Sequence, residues 1–202
     1  MYSDQFGVRC AIVRGGTSKG IFMLENDLPK EPVLRKKVIQ AVFGSPDPRQ
    51  IDGLGGADTL TSKLAIVGPS SRPDADVDYT FAQVGIDRDV VDFGGNCGNI
   101  SSGVGPFAID AGLVHAVEPV TKVRIYQTNT GRILKAEVPV KNGRACASRE
   151  FRIDGVPGTG ARITMDFSAT VGSATGKLLP TGRVRDVVSF EGAGYPVTLA
   201  DA

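Results

Sequence analysis

The sequence predicts an α+β fold, a mostly antiparallel sheet curled around one helix at 99–111. Three observations carry that prediction. About a dozen short segments alternate apolar and polar residues or run continuously apolar between turn signals. Only two segments, 32–43 and 99–111, repeat their apolar residues at helical spacing. The 26 glycines and 12 prolines fall in clusters between regular segments, which marks tight turns and backbone-lined loops, not disorder.

Residues 7–13, GVRCAIV, predict a first strand with Cys10 in the core, because an unpaired cysteine usually packs as a small apolar residue. The glycine loop 14–20, RGGTSKG, leads into the apolar IFML and presents Thr17, Ser18 and Lys19 at a strand end. A plain hairpin with a polar tip accounts for the same residues. The loop lacks the GxxxxGK[ST] spacing of a phosphate-binding loop. In 32–43, Leu34, Val38, Ala41 and Val42 line one side, Pro32 suits the first turn and Gly44 the stop. Lys36 and Lys37 fall on the solvated side.

Residues 44–63, GSPDPRQIDGLGGADTLTSK, form a long loop, and loops of this length in a compact chain are often functional. Its GLGG is not a dinucleotide fingerprint, since Asp58 stands where the third glycine is required. The loop ends in Ser62 and Lys63, directly before LAIV, so Lys63 sits at the mouth of a strand. A lysine there is either a solvated surface residue or a partly desolvated acid or carboxylate partner. Residues 68–76 read as an exposed turn. VDYTFAQV, 77–84, alternates with Val77, Tyr79 and Phe81 on one face.

The chain is organised around 94–112, GGNCGNISSGVGPFAIDAG. Ile100, Val104, Phe107, Ala108 and Ala111 predict a helix, with Gly112 as the left-handed residue beyond its end. Asn96 or Asn99 suits the N-cap. Cys97 then lies at a helix N-terminus, where unpaired amides and the dipole favour anions and a thiolate. A small buried cysteine after a tight turn is the structural alternative. Further on, 121–140 predicts a hairpin turning at Asn129, Thr130 and Gly131. Residues 149–167 read as strand, turn, strand, and 168–183 as a loop. Residues 184–190 and 195–201 read as a last pair of strands. The stop at Ala202, directly after a strand pattern, suggests an isolated or truncated domain.

A net charge of +1 gives no electrostatic case for nucleic acid or an anionic membrane. No run approaches the ~20 apolar residues of a membrane span. The N-terminus has no basic region followed by an apolar run, so no signal peptide is expected. Three widely spaced cysteines, Cys10, Cys97 and Cys146, fit a reducing, cytoplasmic setting. With one histidine, His115, and no CxxC pair, no metal site is expected.

Three motifs carry a resemblance. RGGTSKG at 14–20, IDGLGGADTLTSK at 51–63 and GGNCGN at 94–99, in this order and at these separations, resemble the PrpF family. The resemblance runs along nearly all of the chain. It implies the fold of diaminopimelate epimerase: two similar domains, each an antiparallel barrel-like sheet closed around a central helix, with the active site in the cleft between them. By the same resemblance residues 1–202 are a single N-terminal domain, whose last strands, about 184–202, lead to a second domain not in this chain.

The activity implied is cofactor-independent isomerisation or tautomerisation of an unsaturated di- or tricarboxylate of the aconitate, methylitaconate or oxalomesaconate type. A base removes an allylic proton and an acid returns one at the far carbon. Carried over motif by motif, Lys63 is the first choice for the acid/base group. Ser18 binds or relays a proton beside it, and Cys97 is a second acid/base group or lines the site. Asn96, Gly98 and Asn99 offer donors to a carboxylate, as do Gly16 and Thr17, and Ser62 lines the site. The expected partners are a small carboxylate, the second domain and, through apolar surface left exposed, a second copy. Without the second domain, little activity is expected. Two alternatives stand: an amino-acid racemase or epimerase whose second cysteine lies outside this chain, and a non-catalytic carboxylate-binding domain.

Overall fold

The computed structural model describes residues 6–170 and 175–201. Strand β1 (Ala11–Gly15) turns back on β2 (Ser18–Leu24) through Gly16 and Thr17, so the glycine loop is a tight antiparallel hairpin. Gly16 stands at φ 51, in the left-handed region that suits glycine. The strand expected over 7–13 begins only at Ala11. Cys10 therefore lies outside it and is exposed, which corrects its expected place in the core.

Helix α1 (Pro32–Phe43) has the predicted bounds. Glu31 caps it, accepting from the Val33 and Leu34 amides at 2.9 and 2.6 Å, and Gly44 ends it at φ 71. The long loop follows, and Lys63 opens β3 (Lys63–Pro69), which pairs with β4 (Val77–Val84). Asp92 and Val91 form the short β5 against β4. Helix α2 (Gly98–Asp110) leads to the hairpin of β6 (Val120–Gln127) and β7 (Arg132–Lys141), closed by Gly131 at φ 68. Two short strands, β8 (Arg144–Ala145) and β9 (Thr164–Asp166), flank β7. Of the strand, turn and strand expected over 149–167, the structure forms β9 and one isolated Phe151–Gly160 bridge.

The sheet runs β1-β2-β3-β4-β6-β7-β8 and is mixed. β2 pairs with β3, and β4 with β6, in parallel. Each parallel pair is joined by a crossover that carries a helix, α1 in the first and α2 in the second, because a parallel partner is out of reach of a tight turn. The helices cover opposite faces. Phe22, Ala65, Val67, Tyr79 and Phe81 share one core with Ile100, Val104 and Ala108 of α2. Ile21, Met23, Leu64 and Ile66 share the other with Val38, Ile39 and Phe43 of α1. Strands β2 and β3 are thus buried on both sides, the reason IFML and LAIV read as continuous apolar runs. The architecture is α+β, with a curled half-barrel sheet and few helices.

The last two strands, β10 (Asp186–Phe190) and β11 (Ala193–Val197), make a separate antiparallel hairpin. Val187, Val188, Phe190 and Tyr195 are exposed on it. The stretch 171–174, in the middle of the expected 168–183 loop, lies outside the described residues.

Candidate active site

The β1–β2 turn and the N-terminus of α2 are locked together by close backbone approach. A Cβ on Gly15 would collide with the Asn99 carbonyl, and one on Gly16 with the Asn99 side-chain oxygen. Glycine is therefore required here by contact as well as by φ. Across this junction Asn99 Nδ2 donates to Thr17 Oγ1 at 2.9 Å and to Ser18 Oγ at 3.3 Å. Gly20, further along β2, lies against both Ile100 and the Lys63 carbonyl. The first and third motifs thus touch directly, and the second reaches them through β2.

Neither asparagine caps α2, contrary to expectation. Cys97 itself occupies the N-cap, at φ −140 and ψ 103, and no side chain accepts from the first turn. The first helical bond is from Ser101 N to the Cys97 carbonyl at 3.0 Å, so the amides of Gly98, Asn99 and Ile100 have no intrahelical partner. Asn99 points instead to the β1–β2 turn. Asn96 is spent on the sheet, its Oδ1 accepting from Gln127 Nε2. Cys97 is half-buried, against the core that α2 shares with the sheet. A half-buried cysteine beside three amides with no partner among the described residues is a place for an anion or a reacting thiol.

Lys63 stands at the mouth of β3 as predicted. Its Nζ donates to Gln83 Oε1 at 2.9 Å and lies 5.5 Å from the centroid of the Phe81 ring. Gly95, two residues before Cys97, lies over the same ring, where an added Cβ would sit 3.6 Å from it. Phe81 is therefore the floor between the ammonium and the cysteine loop. Gln83 also donates to the Ser62 and Thr59 carbonyls, at 2.9 and 3.2 Å, and so holds the loop end as well as the lysine.

Ser62 is tied into the long loop. It is fully buried, and its hydroxyl donates to Gln50 Oε1 at 2.7 Å. Successive residues entering a strand point to opposite faces, which turns Ser62 away from Lys63. Gln50, itself buried at φ 47, also accepts from Ala57 N at 2.8 Å and donates to Ser45 Oγ at 3.2 Å. It is the pin of the long loop. Ser18 is 2% exposed, so it meets Asn99 and not solvent in this chain.

Sequence reasoning missed the residues that hold the site: Gln50, Gln83, Gln127 and Asn129. Asn129 was legible as a turn residue, but its side chain ties Phe81 N, Phe81 O and Phe93 O, anchoring the start of the cysteine loop to β4. A polar residue at an inward strand position, such as Gln127, was the available signal. Among the described residues no group of acidic, histidine and cysteine side chains is placed to hold a metal. No helix among them is long and apolar enough to cross a membrane.

Known proteins resemble this chain in sequence and fold. The chain is 63% identical over 199 residues to the 3-methylitaconate isomerase of Eubacterium barkeri, covering 98% of this chain and 52% of that protein. It is 52% identical over 197 residues to the 4-oxalomesaconate tautomerase of Pseudomonas putida, covering 98% of this chain and 54% of that one. It superposes on the crystal structure of methylitaconate-delta-isomerase with a TM-score of 0.91, over 98% of this chain and 51% of that chain. The chain thus spans about half the length of the curated relatives it matches. The PrpF protein family model matches residues 5–202, and the chain belongs to that family.

Proposed function

We propose that this chain carries the Lys63 and Cys97 side of a cofactor-independent isomerase or tautomerase of unsaturated di- or tricarboxylates, of the methylitaconate, oxalomesaconate or aconitate type. The observation that carries the reading is the open N-terminus of α2, with Cys97 at its cap and Asn99 joined to Thr17 and Ser18. Free amides there suit a substrate carboxylate. The names of the relatives supply the substrate class.

In the reaction a base takes a proton from the allylic carbon. The C–H electron pair becomes a new double bond, the original double bond shifts, and negative charge collects on the conjugated carboxylate or carbonyl oxygen. Protonation at the far carbon completes the transfer. Lys63 and Cys97 supply the proton-exchanging groups. The free amides of α2 stabilise the dienolate, where fixed donors act most strongly. Gly16, Thr17, Ser18, Gly98 and Asn99 shape the carboxylate pocket, and Asn96 places the loop.

Residues 1–202 form the N-terminal domain of this enzyme, and a second domain closes the cleft. The exposed apolar side chains of β10 and β11 support that reading, since an isolated two-stranded hairpin is marginal by itself. A homodimer and a cytoplasmic location belong to the same proposal. The test is proton–deuterium exchange by the full-length protein into methylitaconate, oxalomesaconate and aconitate. Exchange into at least one acid, lost in Lys63→Ala, is expected. No exchange into any of them, or undiminished exchange in Lys63→Ala, sinks the assignment. Residues 1–202 alone are expected to turn over none of these acids.

A further inference from the structure

Lys63 is held by neutral partners. It and Gln83 are both half-buried and stand directly opposite each other, on β3 and β4. In such a pair both side chains lie on one face of the sheet. Gln83 Oε1 accepts from Lys63 Nζ at 2.9 Å, and the centroid of the Phe81 ring is 5.5 Å from the nitrogen. Every ion pair among the described residues joins other side chains. The other end of the Gln83 amide fixes its orientation. Nε2 donates to the Ser62 carbonyl at 2.9 Å and to the Thr59 carbonyl at 3.2 Å, so both of its hydrogens are placed. Turned over, the amide would set its oxygen against two carbonyls and its nitrogen against the lysine, and would lose all three bonds. Oε1 therefore faces Nζ. Ser62 is the residue before Lys63, so one side chain grips the lysine at its backbone and at its tip.

The charged groups of the neighbouring elements have other partners or stand in solvent. On β5, Asp92 is the register partner of Gln83, and its Oδ1 accepts from Gly94 N at 2.8 Å. On β2, Lys19 precedes Gly20, the register partner of Lys63, and donates to the Leu54 carbonyl at 3.3 Å. In the long loop Asp58 accepts from Leu60 N at 2.7 Å, and Asp52 is exposed. Further along β4, Asp78 accepts from Ser70 and Ser71. After β2, Glu25 pairs with Arg35 and Asp27 with Arg9, and at the far end of α2 Asp110 pairs with Arg144. Cys97 packs on the core that contains Phe81.

We propose that Gln83 is a positioning residue for Lys63, a neutral acceptor that holds Nζ in place in both of its protonation states. An ammonium that loses one proton keeps two N–H bonds, so Oε1 accepts from the nitrogen before and after the transfer. A carboxylate at this position would bind the ammonium far more tightly than the amine and oppose release of the proton. An amide gives the same grip without that charge. This rests on Lys63 being a proton-exchanging group, as proposed above. It extends that reading to a residue that acts through the lysine.

The test is acetylation of the full-length protein by acetic anhydride from about pH 7 to pH 11, with the Lys63 peptide followed by mass spectrometry. The exposed Lys122 is the reference in the same sample. Gln83→Glu keeps an acceptor and adds a charge. It is expected to move the Lys63 midpoint up by about one pH unit and to slow its labelling about tenfold near neutral pH, relative to Lys122. Gln83→Leu removes the acceptor and is expected to lower the midpoint by about half a unit. Both variants lose the donors to the Ser62 and Thr59 carbonyls, so an effect of the loop alone moves them together. A wild-type midpoint in either variant, shifts in the same direction, or a rate lowered equally at every pH overturns the proposal. Each variant is read against wild type, so one that does not fold leaves the other to decide. Labelling needs no turnover. Opposite shifts in a protein that exchanges no carboxylate proton refute the function and not the role of Gln83. Exchange lost in Lys63→Ala, with no shift in either Gln83 variant, refutes the role and not the function.

Discussion

The two helices are built on opposite plans. α1 is closed at both ends: Glu31 accepts from two first-turn amides, Pro32 removes a third donor, and Gly44 finishes the helix. α2 has no side-chain cap, begins at a cysteine and leaves its first amides free. It is held instead by its flank, where Gly15 and Gly16 let the β1–β2 turn press against Asn99, and Gly103 and Gly105 let Phe22 and Val138 close in. α1 carries its own caps and packs Val38, Ile39 and Phe43 on the sheet. α2 borrows its stability from the sheet, and that leaves its N-terminus open for chemistry.

This contrast can be broken from either end. The largest effect is expected from Gly15→Val, whose side chain must displace the Asn99 carbonyl. Overpacking against backbone should cost about 3 kcal/mol or more, measured by denaturant unfolding, and activity should vanish with it. Asn99→Asp is the sharper test. A carboxylate at a helix N-terminus is tolerated by the dipole, so unfolding should change by less than about 1 kcal/mol. Yet the donors to Thr17 and Ser18 are lost and a substrate carboxylate is repelled, so kcat/KM of the full-length protein should fall at least about a hundredfold. Comparable losses of stability and activity in Asn99→Asp would place the residue in the scaffold alone.

The capped helix should answer in the reverse manner. Glu31→Ala is expected to cost about 1 kcal/mol in denaturant unfolding while turnover of the full-length protein is unaffected. A smaller effect belongs to Glu25, whose carboxylate takes both Arg35 guanidinium nitrogens at 2.7 and 2.8 Å and ties α1 to the turn after β2. The Arg35 hydrogen bonds hold its carboxyl below the usual 4.5 against the opposing effect of burial. A folded pKa below the unfolded one stabilises the protein above pH 4.5 and loses that contribution as pH falls through the folded value. The stability gap between wild type and Glu25→Gln should be below about 1 kcal/mol near neutral pH and should close in acid. A gap that widens as pH falls would reverse the sign of the interaction.

Much of this could be read from residues in a row. α1, the approximate extent of α2, the strand at 77–84 and the hairpin at 121–140 follow from local spacing, because apolar periodicity and turn residues act over a few positions. Lys63 was legible because an apolar run begins directly after it. Cys97 was legible because the helical spacing starts just beyond it. Cys10 was misplaced because a short apolar run marks a strand but not where the chain leaves the sheet. The burial of Ser62 was not legible, because its alternation relative to Lys63 depends on which face of β3 the long loop covers.

By itself, the sequence determined the two helices, most of the longer strands, the turns, and the three motifs that mark the family, since each depends on neighbours along the chain. The tertiary structure alone decided the parallel pairings, the two cores on opposite faces of the sheet and the glutamines that hold the loops. It also brought Asn99 against Gly15, which lie far apart in sequence. Those contacts arise when loops close over long separations, and no local pattern encodes which partner a buried amide or hydroxyl will meet.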